Sequence, residues 1–175
     1  MSATTTLPTA SSNQGNDSAT STTSCGVDVA VSDGDRLEFG SLVLEVRSTP
    51  GHTDGCVTFV TDDHKHAFTG DALFIRGTGR TDFQNGDPGA QYDSLFHKLL
   101  KLPEETLVYP AHDYEGRFVS SIAQEKARNP RLGHGRSKDE FVALMDGLDL
   151  PYPHKIDFAV PGNEACGECP PDVPE

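Results

Sequence analysis

Short apolar segments that each end in a loop carrying a histidine or an aspartate constrain this chain more than any other feature. His52 lies in the loop TPGHT at 49–53, Asp71 follows a short apolar run, and His112 lies in YPAHD at 109–113. Loops at strand ends are where a rigid sheet presents binding and catalytic side chains. Two imidazoles and one carboxylate suit zinc or non-haem iron. The pattern makes these three side chains candidate metal ligands, with turn capping or exposure to water as the more common role of such loop residues.

Apolar alternation predicts two β-hairpins and one further strand. Residues 37–39 and 42–46 alternate on either side of a tight turn, and residues 57–61 and 66–69 flank a polar one. Residues 106–109 predict a fifth strand. Each hairpin leads into a loop that carries one of the candidate ligands.

Helical spacing predicts three helices in the second half of the chain. Residues 90–101 form an amphipathic helix that ends before Pro103, and residues 116–128 form a more polar one. Ser137 and Glu140 form a capping-box pattern that begins the third helix. Its buried stripe consists of Phe141, Leu144, Met145 and Leu148. Strands and helices in mixed order, without an internal repeat, favour an α/β or α+β layered domain.

The charge of the chain argues against two kinds of partner. Lys and Arg number 14 against 27 Asp and Glu, a net charge of −13. Such a chain repels phosphate backbones and anionic membrane surfaces, and no window approaches the roughly 18 apolar residues of a spanning helix. We therefore expect neither nucleic acid nor a membrane as a partner.

Composition divides the chain into three parts. Residues 1–24 are rich in Ser and Thr, with Leu7 as the single large apolar side chain, and predict a disordered tail. Residues 25–165 form one domain, and residues 166–175 form a C-terminal tail. The first tail contains no Arg or Lys, unlike a mitochondrial transit peptide.

The cysteines indicate a reducing compartment. Cys25, Cys56, Cys166 and Cys169 are too few and too unevenly spaced for a disulfide framework. The last two have C-x-x-C spacing, but no second pair completes a zinc site. A pair of plain thiols is favoured over a redox or metal role.

Several of these segments resemble a known family. Residues 49–53, 68–71 and 109–113 resemble, in order and separation, the later ligand motifs of the metallo-β-lactamase fold, which glyoxalase-II-like proteins share. Residues 70–84, GDALFIRGTGRTDFQ, and 156–161, IDFAVP, resemble the persulfide dioxygenases, the mitochondrial sulfur dioxygenases. The resemblance implies an α/β fold, a partial metallo-β-lactamase αβ/βα sandwich formed by the second half of that fold.

The resemblance also implies a site and a reaction. One Fe(II) per chain would be held by two histidines and one aspartate, with His52 as the downstream histidine and Asp71 as the carboxylate. His112 matches a second-metal position in two-metal relatives, and in a one-iron enzyme it would be a catalytic residue lining the pocket with Tyr114. Arg80 and Tyr114 match positions near the substrate; the alternatives are a structural salt bridge for Arg80 and a loop-packing ring for Tyr114. Glutathione persulfide and O₂ would be converted to sulfite and glutathione.

One motif of the family has no counterpart in this sequence. The family carries H-x-H-x-D-H upstream of residues 49–53, whereas the one H-x-H here, His64 to His66, is interpreted as part of a solvated turn. We therefore expect the chain to be the C-terminal part of the fold, with one sheet face left uncovered. Three alternatives follow: an enzyme completed by a partner or a second copy, a non-catalytic binding protein, or a truncated product.

Further alternatives stay open at this stage. A glyoxalase-II-type thiolester hydrolase, using zinc or two metals to generate hydroxide, is the second chemistry. The family implies a mitochondrial location, with the cytoplasm as the alternative. Oligomeric state is undetermined, with a homo-oligomer as one expectation.

Overall fold

A six-stranded sheet forms the centre of the structure, a computed structural model that describes residues 29–133 and 135–164. The strands are β1 (Arg36–Phe39), β2 (Leu42–Ser48), β3 (Val57–Thr61), β4 (His66–Gly70), β5 (Leu107–Pro110) and β6 (Ser120–Ser121). They lie in the sheet in chain order, and every neighbouring pair is antiparallel except β4 and β5, which are parallel. The long connection between these two parallel strands carries much of the candidate site.

Both predicted hairpins and the strand over 106–109 are confirmed. Gly40, at φ +62°, makes the β1–β2 turn, and His64, at φ +55°, lies in the β3–β4 turn as expected from its polar surroundings. His66 is already the first residue of β4.

The helices predicted from the sequence are confirmed in part. Helix α1 (Pro88–Asp93) is capped by the Asp87 side chain and continues as a π-helical turn, Ser94–Lys98, and a 3₁₀ turn, Leu99–Lys101. The predicted helix over 90–101 is therefore present but irregular. Helix α3 (Lys138–Asp146) begins with the predicted capping box.

One expectation about helices was wrong in its extent, and one helix was not predicted. The helix predicted over 116–128 is only α2 (Ile122–Arg128), because Gly116 takes a left-handed φ of +77° and Ser120–Ser121 pairs with β5. Helix α4 (Ile156–Glu164), which contains Pro161, was not predicted. The predicted tails over 1–24 and 166–175, with Cys25, Cys166 and Cys169, lie outside the described residues.

The helices cover one face of the sheet. Val60, Ala67 and Val108 point from the strands into a buried core with the helical side chains. The helical members of this core include Leu95, Leu99, Ile122, Phe141 and Met145. None of the helices in the described part of the chain has the length and hydrophobicity of a membrane span.

The opposite face of the sheet carries exposed apolar side chains. Phe39 and Leu42 pair across the first hairpin and Phe68 lies on β4, and these side chains are 52%, 50% and 44% exposed. Strand register places all three on the face away from Val60 and Ala67. The uncovered face expected from the sequence is thus found in the described residues.

A buried carboxylate joins helix α2 to the loop after β4. Glu125 has no exposed surface and accepts hydrogen bonds from the Arg76 guanidinium, the Arg76 backbone N–H at 2.9 Å and Ser120 Oγ at 2.5 Å. Asn129 Nδ2 donates a further bond at 2.9 Å. A buried charge is tolerated only when it is paired and hydrogen-bonded in this way. Arg76 itself takes a φ of +65°, so this network fixes an unfavourable backbone conformation.

Glu125→Gln is expected to lower the free energy of unfolding by about 3 kcal/mol, because the half-buried guanidinium loses its counter-charge. Urea denaturation followed by circular dichroism measures the change. Glu105→Gln, which alters an exposed carboxylate, is the matched control and should shift stability by less than about 0.5 kcal/mol. A loss below about 1 kcal/mol for Glu125→Gln would contradict its role as the anchor of this loop.

Candidate metal centre

Sheet topology brings the three candidate ligands to one edge. Strands β2, β4 and β5 run in the same direction, because β2 and β4 are both antiparallel to β3 while β4 and β5 are parallel. Their carboxyl ends therefore lie at the same edge of the sheet. His52, Asp71 and His112 come from the loops that follow these three strands.

Asp71 lies between the two imidazoles. Its Oδ1 is 2.6 Å from His112 Nδ1, and its Oδ2 is 3.7 Å from His52 Nε2. The side chains of Asp71 and His52 are 24% and 22% exposed, whereas that of His112 is 56% exposed. The carboxylate and His52 thus form the sheltered part of the cluster.

The ring of His52 is oriented by a backbone carbonyl. Its Nδ1 lies 2.7 Å from Arg80 O, and a carbonyl oxygen can only accept, so Nδ1 carries the proton and donates. In the neutral form of the ring, Nε2 then keeps its lone pair, and this nitrogen lies on the side of Asp71. Metal-binding histidines are commonly fixed by such a bond from the other ring nitrogen.

Gly79 allows the loop after β4 to fold back against His52. Its N–H donates to Asp71 O at 2.9 Å, and its own carbonyl accepts from the buried amide of Gln91 at 3.1 Å. A Cβ at this position would lie 2.2 Å from Asp71 O and 2.9 Å from His52 Cβ. Only glycine permits this approach, which brings Arg80 O within reach of His52.

The donor set fits a divalent metal ion as two of its ligands. An imidazole nitrogen and a carboxylate oxygen face each other at a separation that one ion can bridge. In the part of the chain that the structure describes, no three His, Cys, Asp or Glu side chains converge on one point. His112 hydrogen-bonds to Asp71 instead, so an ion bound here would need further ligands from outside this pair.

All five site residues expected from the sequence line one pocket. A cavity of about 640 Å³ contains His52, Asp71, Arg80, His112 and Tyr114 in its wall. The Tyr114 ring is 84% exposed and stacks on His112, with ring centroids 6.2 Å apart. The strand-end pattern had indicated His52, Asp71 and His112, the family resemblance had added Arg80 and Tyr114, and all five lie around this cavity.

The guanidinium of Arg80 is hydrogen-bonded to other groups of the protein through all three of its nitrogens. Its Nε and Nη2 donate to the two oxygens of Asp82 at 2.6 and 2.7 Å, and its Nη1 donates to Pro151 O at 2.9 Å. The guanidinium also lies 4.5 Å from the centre of the Phe83 ring. The hydrogen bond to Asp82 raises the pKa of Arg80 further. Arg80 therefore ties the segment around Pro151 to the pocket wall.

Sequence reasoning missed several residues of this pocket and its support. Arg131 and Tyr152 line the cavity. The buried side chain of Gln91 donates a hydrogen bond to the carbonyl of Gly79. Arg131 lies in an irregular turn after α2, where no local pattern marks it. Only the GTGR sequence at 77–80 offered a signal, since paired glycines indicate a close backbone approach.

A comparison with known families decides the family of the chain. The sequence model of the metallo-beta-lactamase superfamily matches residues 23–112. The chain belongs to the metallo-beta-lactamase superfamily. Proteins of this superfamily bind metal ions, in agreement with the donor pair found here. The family and the α/β fold class predicted from the sequence are confirmed.

Within the superfamily the chain is similar to persulfide dioxygenases. It is 56% identical to mitochondrial persulfide dioxygenase ETHE1 of Bos taurus over 137 residues, which are 78% of this chain and 53% of that protein. Identity to the Homo sapiens protein of the same name is 54% over 140 residues, covering 80% and 54%. The crystal structure of ETHE1 from Myxococcus xanthus matches with a TM-score of 0.78 and 52% identity, over 83% of this chain and 63% of that one. The chain spans about half the length of the curated relatives it matches.

Gly79→Ala is expected to lower the free energy of unfolding by about 1–3 kcal/mol, because the added methyl group meets backbone and the His52 ring. Thermal and urea denaturation measure the loss. Gly77→Ala is the control, since a Cβ there meets nothing nearer than 3.8 Å and should change stability by less than about 0.5 kcal/mol. Equal stability of the two variants would contradict the close packing of the loop on His52.

Proposed function

We propose that this chain provides His52 and Asp71 to the Fe(II) site of a persulfide dioxygenase, with one iron per chain. The observation that carries the proposal is the arrangement of His52, whose Nδ1 is held by a carbonyl while Nε2 faces a carboxylate. A neutral imidazole and a carboxylate are ligands of non-haem Fe(II). Similarity to persulfide dioxygenases at 52–56% identity supports this chemistry over that of other superfamily members.

The proposed reaction oxidises the outer sulfur of glutathione persulfide. Glutathione persulfide, O₂ and one water give glutathione and sulfurous acid, which ionises to sulfite, so the S–S bond breaks and the terminal sulfur gains three oxygens. When bound, the iron supplies the site at which O₂ is activated beside the sulfur.

The side chains around the donor pair have distinct roles in this proposal. His112 Nδ1 donates to Asp71 Oδ1 and holds that carboxylate in place, with Oδ2 turned towards His52. Tyr114, stacked on His112 and open to the pocket, provides a phenolic O–H that can donate to the substrate sulfur or its leaving thiolate. These are the catalytic roles of the two residues. Arg80 borders the substrate and fixes the wall of the pocket.

Two further elements complete the proposal. The ligands that the pair lacks come from a partner chain that carries the H-x-H-x-D-H motif, or from other donor side chains of a second copy in a homo-oligomer. The relatives are named as mitochondrial proteins, which supports a mitochondrial location; the cytoplasm is the alternative.

A two-metal thiolester hydrolase is the second candidate. Asp71 contacts an imidazole with each of its oxygens, and a carboxylate so placed can bridge two ions, one on the side of His52 and one on the side of His112. Two metals per chain with thiolester hydrolysis, and no O₂ uptake with a persulfide, would favour this function.

Anaerobic loading with Fe(II), followed by O₂-electrode measurement with glutathione persulfide, tests the dioxygenase. The full chain is expected to retain about one iron and consume O₂, while His52→Ala loses at least about tenfold in iron affinity and in rate, because a ligand is removed. His97→Ala, an exposed histidine away from the pocket, should match the wild type. Absence of both iron retention and O₂ uptake in the wild type would refute a site completed by this chain or its homo-oligomer, and absence of both after addition of a partner chain carrying the H-x-H-x-D-H motif would refute the proposal.

A further inference from the structure

Strand β1 is the outermost strand on one side of the sheet. It pairs with β2 on its inner side, and no strand lies beyond it in the part of the chain that the structure describes. Arg36, Glu38 and Phe39 are exposed, and Leu37 is half-buried. A free strand edge presents unpaired backbone groups, to which another strand can add.

The free backbone groups of this edge belong to Arg36 and Glu38. The Val46 N–H donates to Asp35 O at 2.8 Å across the first hairpin, so the Asp35 carbonyl points towards β2. In an antiparallel ladder, hydrogen-bonded pairs alternate with pairs that are not hydrogen-bonded. Leu37 therefore bonds to β2 in its turn, whereas Arg36 and Glu38 direct their N–H and C=O groups outward.

The side chains of the same two residues carry opposite charges. Residues two positions apart in a strand lie on one face, so Arg36 and Glu38 lie side by side along this edge. Glu45 is opposite Arg36 in the register of the hairpin, but its carboxylate binds Arg47 at 2.8 Å. The sequence RLEF thus presents a positive and a negative charge on either side of Leu37.

This pattern is complementary to itself in one register. When two copies of β1 pair antiparallel with Leu37 at the two-fold axis, Arg36 of each copy lies opposite Glu38 of the other. The outward backbone groups of these residues then form a hydrogen-bonded pair on each side of the axis. Registers centred on Arg36 or on Glu38 would place like charges opposite each other, which is destabilising.

Electrostatics favours this edge over the rest of the surface. The chain has a net charge of −13, so two copies repel each other in most orientations. The charges of Arg36 and Glu38 sum to zero, and the paired register places each opposite its counter-charge. Leu37 adds an apolar contact at the axis, on the sheet face that also carries exposed Phe39 and Leu42.

We propose that β1 pairs with β1 of a second copy, in the antiparallel register centred on Leu37, and so joins two sheets into one. The contact is short, so we expect a reversible dimer with a dissociation constant on the order of 100 µM. Strands β2 and β3 separate β1 from β4, which leads into the loop with Asp71. The dimer therefore forms away from the metal centre, supplies no ligand to it and does not depend on the proposed reaction.

Sedimentation equilibrium of the purified full chain, from roughly 1 µM to 1 mM, tests the inference. The wild type is expected to show a monomer–dimer equilibrium. Arg36→Glu and Glu38→Arg should each weaken the dimer at least about tenfold, because each reversal places like charges opposite each other on both sides of the axis. The double variant Arg36→Glu/Glu38→Arg should recover the wild-type dissociation constant, since exchanging the two charges restores the complementary pattern.

Two control variants make the same changes of charge elsewhere. Arg128→Glu on α2 and Glu105→Arg in the turn before β5 alter exposed side chains and should leave the dissociation constant unchanged. Recovery in the double variant also excludes misfolding as the cause of the single losses. A wild type that stays monomeric up to about 1 mM would overturn the inference. So would a double variant that fails to recover, or a dimer that both single reversals leave intact, as expected for contact through the apolar face.

Hydrogen exchange at low and high protein concentration locates the contact. The amides of Arg36 and Glu38 should exchange more slowly at high concentration, because their N–H groups become hydrogen-bonded only in the dimer. The Leu37 amide, bonded to β2 in either state, is the internal control. Protection that rises in other strands but not at Arg36 and Glu38 would overturn the proposed pairing even where a dimer forms.

Discussion

The hydrogen bond from His52 Nδ1 to Arg80 O is the interaction on which the site depends. It fixes the ring, defines its tautomer and leaves Nε2 facing Asp71. The bond exists because the loop after β4 returns to its own start, where Gly79 donates to Asp71 O. Closure of this one loop therefore places both Asp71 and the carbonyl that orients His52, which itself comes from the loop after β2.

Buried polar groups hold this closure from the side of the helices. Glu125 on α2 accepts a hydrogen bond from the backbone N–H of Arg76 in the loop. Gln91 on α1 donates a hydrogen bond from its side-chain amide to the carbonyl of Gly79. The Oε1 atom of Gln91 has no partner among the described residues. Burying charged and amide groups favours a unique arrangement more than it favours stability. The helices thus contribute to the site although neither of them carries a metal ligand.

The sequence predicted those features whose contacts are between residues close together in the chain. The hairpins, the capping box at Ser137 and the ligand-bearing loops follow from short patterns, because strand alternation and turn residues act over a few positions. Arg131, Glu125 and the strand at Ser120–Ser121 owe their roles to partners about 49–53 residues away or to a neighbouring strand. The short polar stretch before α2 resembles the start of a helix, and only pairing with β5 makes it a strand.

The central claim is that His52 Nε2 and Asp71 share one metal ion. Titration of the ¹⁵N-labelled chain with Co(II), followed by long-range ¹H–¹⁵N spectra of the imidazoles, tests it directly, because a paramagnetic ion broadens the signals of its ligands first. The account predicts a protonated Nδ1 in His52, with its Nε2 signal and that of nearby His112 lost at the lowest Co(II), while His97 is unaffected. Broadening that began at His64 and His66, or that spared His52, would contradict it.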